Sequence, residues 1–299
     1  MNPKCIICNR KADFLLIKDG YYLFRCPKCS LVFVHPQPSF KTLKKEVYSV
    51  SAGYQSGKAQ DLSKVKEHPN NIKVLEYFEK NRIKGKLLDV GCSNGEFMFS
   101  AKKRGFEVFG VELNPATARI AKANKLNVVI GTLDRAKFKI NYFDVIFLGD
   151  VIEHMSDPRA LLEQCHTLLK SSGIITIITP NLDCFWAKAT FWLFIKLKIP
   201  WSSVTPPFHL FQFSTLNLES LLKLSKFEPV KVWYNPPPPL SYELWFTGLA
   251  NKYSKNKDVV NFLKYYLVYL IYGFFYLFNK LISKLLGKDN GLVIVSKKL

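Results

Sequence analysis

Apolar residues in this chain gather in short runs separated by stretches of helical spacing. Leu87-Leu88-Asp89-Val90 is one run, opening at Lys86 and passing into Gly91-Cys92-Ser93-Asn94-Gly95 before a helical pattern starts near Glu96-Phe97. Val108-Phe109-Gly110-Val111-Glu112 is a second and ends on an acid; helical spacing then holds from Pro115 to Ala123. Val128-Val129-Ile130, Phe143 to Leu148 and Gly173 to Thr179 follow. Short apolar runs bounded by turn residues predict strands, and the intervening stretches are long enough for helices of about 10–15 residues. Strand and helix alternating in this order predict an α/β fold with a doubly wound parallel sheet. Val230 to Tyr234 and Gly291 to Ser296 are expected as its last two strands, and Ile72, Leu75 and Phe78 mark a helix ahead of it.

The N-terminal stretch follows another rule. Cys5-Ile6-Ile7-Cys8 and Cys26-Pro27-Lys28-Cys29 are two C-x2-C pairs 17 residues apart. Each gap lets a knuckle present two sulfurs to one metal, the spacing of a tetrahedral four-cysteine zinc site. Between the pairs, Phe14 to Ile17, Asp19-Gly20 and Tyr21 to Phe24 predict strand, turn, strand. We therefore expect a zinc ribbon with linker over residues 1–60 and the sheet domain over 61–299, with an apolar helical insertion at 236–290. Four thiolates leave no open coordination position, so the zinc is expected to be structural. Cys92, Cys165 and Cys184 are unpaired, and Met1-Asn2-Pro3-Lys4 leads into the first pair without an apolar leader, so a cytoplasmic location is expected.

A strand, a glycine turn and a helix place backbone N–H groups beside a nucleotide, and an acid at the end of the next strand can hold a ribose. Glu112 stands 17 residues after Gly95, as that arrangement needs. A nicotinamide dehydrogenase would want G-x-G-x-x-G, whereas this turn has only Gly91 and Gly95. The run from Leu87 to Gly95 resembles motif I of class I S-adenosylmethionine-dependent methyltransferases. Phe143-Asp144-Val145-Ile146 and Asp150 to Pro158 are similar to the fourth-strand region of their ubiquinone-biosynthesis-like branch. The resemblance covers roughly residues 70–230. It implies that Asp89, Gly91, Ser93 and Gly95 surround the methionine part of the cofactor and that Glu112 grips the ribose. Thr132, Leu133 or Asp134 then reads the adenine, and Gly149 and Asp150 complete the pocket. Ser93 replaces a second glycine of the family, a change expected to fit. Thr132 stands where many members carry an aspartate.

Three places can supply a base for an acceptor that must lose a proton. Asp150, Glu153 and His154 have i, i+3, i+4 spacing, which on a helical turn gives one face able to bind a divalent cation or to position His154; the alternative is a structural role for Glu153 and His154. His209 lies in Pro206 to Thr215, a run similar to the His-x-x-Tyr-Phe-Ser run of sugar C-methyltransferases that also carry an N-terminal zinc ribbon, with Gln212 in place of the tyrosine. That resemblance implies a base at His209; a packed side chain is the other reading. Tyr48 or Tyr54, in the linker, is the third. Asn235-Pro236-Pro237 lies after the sixth strand and lacks a following aromatic, so it is read as a rigid linker rather than as an amino-methyltransferase motif.

Net charge is +20, with +7 in residues 1–60, +4 in 61–180 and +9 in 181–299. The excess at both ends suits a phosphorylated substrate, an anionic membrane or a nucleic acid. Tyr265 to Phe278 is uninterruptedly apolar and aromatic around Gly273, between Lys264 and Lys280; it is shorter than the ~20 residues that span a bilayer. With the lysine- and aromatic-rich stretch Phe185 to Lys198, it is expected either to lie in a membrane interface or to pack as a lid or dimer contact. The leading expectation is a C- or O-methyltransferase with S-adenosylmethionine and structural zinc, acting on a small nucleotide- or lipid-linked sugar. Methylation of a quinone-like or other lipid at the membrane, methylation of rRNA or tRNA, and cofactor binding without catalysis are the alternatives.

Overall fold

A computed structural model describes residues 3–39, 41–43, 61–199, 201–237, 239–241 and 259–299. Tyr48 and Tyr54 lie outside them. The strands of the sheet domain are β4 (Lys86–Val90), β5 (Glu107–Glu112), β6 (Asn127–Ile130), β7 (Phe143–Gly149), β8 (Leu169–Pro180), β10 (Phe227–Asn235) and β11 (Gly291–Lys298). Their helices are α1 (Pro69–Lys80), α2 (Glu96–Lys103), α3 (Pro115–Ala123), α4 (Pro158–Leu168), α5 (Phe185–Leu197), α6 (Thr215–Leu224) and α7 (Val259–Leu286). Caps fix several starts: Asn114 and Asp157 accept the N–H of Ala116 and Ala160 with a proline at the first turn in both cases.

The seven strands lie in the order β10-β11-β8-β7-β4-β5-β6. Six strands run in one direction, and only β11 enters antiparallel to both neighbours, so the sheet is mixed rather than wholly parallel. The chain returns from β10 to pair directly beside it, filling the gap between β10 and β8 with a strand that runs against both. Both faces are covered. Leu75, Phe78, Met98 and Ala121 pack with Leu87, Val145 and Val293 on one side; Ile146, Ile175, Leu162 and Leu221 pack on the other. The direction of winding changes between β4 and β7, and ligands of such sheets bind outside the carboxyl ends at that point.

The N-terminal strands β1 (Asp13–Lys18), β2 (Tyr21–Arg25) and β3 (Val32–Val34) form the ribbon, antiparallel throughout. Its fourth strand is β9 (Phe211–Gln212), which belongs to the loop after β8: Val32 pairs with Gln212 and Phe33 with Phe211. Leu23, Leu31, Phe33 and Val34 share one buried cluster with Phe211, Phe213 and Leu218. The 1–60 and 61–299 segments thus meet in a common core. The helical insertion differs from its expected extent. Rather than a run of apolar residues too short to cross a bilayer, α7 is one helix in which Phe262–Leu286 is long and apolar enough to do so by length and composition.

Candidate active site

The turn after β4 is built from left-handed backbone. Gly91 has φ of 75°, Ser93 50° and Gly95 87°. A Cβ on Gly91 would sit 2.6 Å from Val151 Cγ2, and one on Gly95 would sit 2.4 Å from Leu126 Cδ1, so neither position accepts a side chain. Ser93 occupies the same region without being glycine. It fits, but at a backbone cost of about 1 kcal/mol that glycine would avoid. The Gly91 and Cys92 N–H groups donate to the Val111 carbonyl, which ties the turn to β5.

Glu112 ends β5, is 9% exposed, and accepts the Ser93 N–H at 2.8 Å on one oxygen and the Asn114 N–H at 2.6 Å on the other. A carboxylate offers about four acceptor positions, so both oxygens keep capacity toward a ribose. Burial raises its pKa, and the backbone N–H bonds hold it back. Asp89 is buried at the end of β4; burial and then the Glu112 charge push its pKa well above the ordinary value. Two crowded carboxyls beside a glycine turn are stabilised in their charged forms by a cation, and a sulfonium amino acid supplies one. Gly131 donates its N–H to the Glu112 carbonyl and so sets Thr132 beside the end of β5. Leu133 is buried, whereas Asp134 is exposed and holds a lowered pKa through a hydrogen bond with Thr132 first of all.

Gly149 closes β7, and Asp150 turns the chain with φ of 53°, donating its N–H to Ile178. The expected single helical face of Asp150, Glu153 and His154 does not form. A short 3-10 turn spans only Ile152–His154, and the left-handed Asp150 lies outside it. Asp150 stands exposed at the rim; surrounding protein and then Glu153 push its carboxyl up toward about 7, and solvent at the rim works against that push. Instead, Glu153 and His154 meet His209, whose ligand atoms with theirs all lie within 4.8 Å of one another. These three could hold a divalent cation.

Glu153 is 1% exposed, and its pKa is raised to about 7 by burial. Its Oε2 accepts from Thr179 Oγ1 at 2.9 Å, while Oε1 has no hydrogen-bond partner. His154 Nδ1 bonds the Phe208 carbonyl. A carbonyl only accepts, so Nδ1 carries the proton and the neutral ring keeps its lone pair on Nε2, 3.9 Å from Glu153 Oε1. The His209 ring lies against His154, centroids 4.9 Å apart, and its Nδ1 is buried without a partner. Burial, then His154, hold His209 well below the ordinary histidine pKa, and burial lowers His154 as well. Thr179 and the Phe208 carbonyl were not foreseen from sequence; a threonine at a strand's carboxyl end near an acid was the available signal.

At the ribbon, each cysteine pair forms the same knuckle. Asn9 and Ser30 donate N–H to Cys5 and Cys26, and both turn through positive φ, 54° and 58°. The sulfurs of Cys5 and Cys29 lie 3.5 Å apart, Cys8 and Cys26 3.2 Å, and Cys8 and Cys29 3.9 Å. A tetrahedron with Zn–S bonds of about 2.3 Å has edges of about 3.8 Å, so the four sulfurs fit one zinc. Contact with Cys29 pulls the Cys5 thiol down to about 5, while Cys29 is pushed up by Cys5.

Residues 67–232 match the family described as "Methyltransferase domain". The ubiquinone biosynthesis O-methyltransferase of Pseudomonas paraeruginosa is 28% identical over 120 residues, covering 38% of this chain and 52% of that one. The chain thus spans about half the length of the curated relatives it matches. Among solved structures, an S-adenosylmethionine-dependent methyltransferase from Archaeoglobus fulgidus superposes with a TM-score of 0.50 at 18% identity, covering 87% of this chain and all of that one. Phosphoethanolamine N-methyltransferase 2 of Haemonchus contortus, bound to S-adenosylmethionine, gives 0.52 at 16% identity, covering 89% and 61%. With more than half its length matched and the strand order in place, the chain belongs to the methyltransferase-domain family.

Proposed function

We propose that the chain methylates an oxygen or carbon of a small acceptor that must lose a proton, with a nucleotide- or lipid-linked sugar as the leading class. One observation carries this reading: a neutral, partly desolvated histidine, His209, stands with His154 and Glu153 beside Val151, which packs on the Gly91 turn. Asp89, Gly91, Ser93 and Gly95 enclose the amino-acid end of the cofactor. Glu112 accepts from the ribose, Thr132 to Asp134 line the adenine edge, and Gly149 and Asp150 form the floor. The bound cofactor supplies an activated methyl group on a sulfonium. The chain's task is then to align the acceptor, worth up to ~7–11 kcal/mol, and to take its proton. His209 receives it, and Glu153 offsets charge appearing on the paired imidazoles.

The acceptor's anionic part has a site of matching charge. A cavity of about 940 Å³ between the ribbon, α5 and α6 is lined by Arg25, Lys28 and Lys223, with Phe191 and Trp201 and with Lys188 paired to Asp183 at 2.6 Å. We also infer a structural zinc on Cys5, Cys8, Cys26 and Cys29. The second reading, a quinone-like or other lipid acceptor, is favoured by the exposed apolar side of α7 and by the activity named for the ubiquinone relative. Methyl-labelled cofactor and the purified chain, incubated with fractionated cell extract, separate the cases. Label in nucleotide sugars supports the leading class and label in lipid the second; label in RNA alone overturns both.

A further inference from the structure

Helix α7 carries its residues the opposite way round from a helix of a water-facing surface. The side packed on the domain includes Val268 and Tyr272, with Trp186 of α5 set against Tyr272 and Tyr276 at 5.3 and 5.9 Å. That same packed side also holds buried Asn279 and Ser283. The side turned away from the domain is apolar. Leu263, Leu270, Phe274, Leu277, Leu281 and Leu285 are all exposed, Leu277 by 69% and Leu285 by 76%. Residues seven apart lie on one face, so Leu263, Leu270 and Leu277 form its spine, and Phe262 and Phe278 widen it beyond the seam of a two-helix coil. An exposed apolar surface of this extent marks a contact.

The charge around it selects the partner. From Val259 to Lys288 the sequence has no acid, and Lys264, Lys280 and Lys284 are exposed along the helix. Tyr266 and Tyr269 are exposed on α7, and the neighbouring α5 exposes Trp192, Ile195 and Leu197 beside Lys196 and Lys198. Lysines beside an apolar strip with tyrosine and tryptophan suit the headgroup–acyl boundary, where long stems bury and ammonium groups reach phosphates. A second copy would bring a face of the same charge: α7 itself carries no acid, and Asp289, which lines a cavity with Lys280 and Lys284, lies beyond its end. A crossing helix would have to pull Asn279 and Ser283 into hydrocarbon and detach from α5, and β11 re-enters the sheet at Gly291, five residues after α7 ends.

We propose that the outer face of α7 docks in the plane of a bilayer bearing anionic lipids. This does not depend on which acceptor the enzyme methylates. The test is co-sedimentation of the full chain with vesicles of phosphatidylcholine alone or with about one-third phosphatidylglycerol, alongside Leu270→Glu/Leu277→Glu and Lys280→Gln/Lys284→Gln. Each lysine near an anionic surface is worth about fivefold in partition, so the lysine pair should cost about 25-fold on anionic vesicles and little on neutral ones. The leucine pair should abolish binding. Both variants should keep the wild-type cofactor affinity and melting temperature, which separates lost docking from lost folding. Three results overturn the proposal. One is undiminished sedimentation of the leucine variant. Another is no binding by the wild type, with a dimer that the leucine variant dissolves. The third is wild-type protein that stays in membranes through alkaline carbonate, as a span would.

Discussion

Replacing Glu153 with glutamine should make the protein more stable at alkaline pH and leave it little changed at acid pH. The carboxyl is 1% exposed, one oxygen is held by Thr179, and the other has no partner. Burial raises its pKa from 4.5 to about 7, so the folded state holds its proton more tightly than the unfolded one. The sign follows. A raised carboxyl pKa contributes stability that is complete below about 4.5 and is lost as pH rises through 7. At about 1.4 kcal/mol per decade, the separation amounts to about 3 kcal/mol, most of it lost between pH 5 and 8. Glutamine keeps the shape and the acceptor for Thr179 but never ionises. Denaturant unfolding of both proteins at pH 5, 6.5 and 8, with chelator and without cofactor, should show the gap moving by about 2–3 kcal/mol in glutamine's favour. His154 and His209 act in the other direction in both proteins, losing stability as pH falls below 6.5, whereas Asp150, whose carboxyl the Glu153 charge also pushes up, is relieved by the substitution and moves the difference the same way. Parallel stability curves would refute the argument.

His209→Gln should lower kcat by about 10²–10⁴ while cofactor affinity stays near wild type, and steady-state kinetics with calorimetry check both. Because His209 is held well below the usual histidine pKa, the acid limb of the wild-type kcat profile should lie below 6.5; a limb above 7 contradicts the assignment. Glu112→Ala orphans the Ser93 and Asn114 N–H groups as well as the ribose, so cofactor affinity should fall by about 1–3 kcal/mol, together with melting temperature; unchanged affinity by calorimetry rejects the role. Elemental analysis should find one zinc per chain, and Cys26→Ser should release it and reduce kcat. Less than about half an equivalent of zinc in thiol-protected wild-type protein counts against the site.

The frame of the fold could be read from sequence because its signals are local. Apolar runs locate β4 to β8, and Glu112 announces itself by its distance from Gly95 at the end of a strand. The four cysteines declare a shared site by spacing alone, and their sulfurs do converge. What escaped was set by partners distant in the chain. Nothing in Phe211-Gln212 distinguishes a two-residue strand, because its pairing residues are Val32 and Phe33. His209 and His154 were separate candidates because 55 positions divide them, and only the loop after β8 brings the rings together. Ser93 hinted at its positive φ only by standing where the family has a glycine; the turn itself is fixed by the distant Val111 carbonyl, which accepts the Gly91 and Cys92 N–H groups. The extent of α7 was underestimated because Lys264 and Lys280 ended the apolar run without ending the helix.

The ribbon and the candidate base are mechanically one unit, and Leu210 is the link. Its carbonyl accepts the Val34 N–H at the end of β3, and its own N–H donates to the Glu153 carbonyl, both at about 2.8–2.9 Å. His209 is the residue before it and Phe208, whose carbonyl orients His154, is the one before that. Three consecutive residues therefore fix both imidazoles and the glutamate backbone, and one edge of that segment is held by the ribbon. Asn217 at the start of α6 reaches the Cys29 carbonyl at 3.4 Å, adding a second tie from the sheet domain to the metal knuckle. So short a ribbon has little core of its own, and a bound zinc would contribute on the order of 10 kcal/mol to keeping it folded. Without that, β3 keeps only its ladder to β9 and its apolar contacts in the shared core, and the segment carrying His209 is held less firmly on that side. A metal with no open coordination position can thus matter to catalysis through geometry alone, which is why the Cys26 variant should bind cofactor yet turn over slowly.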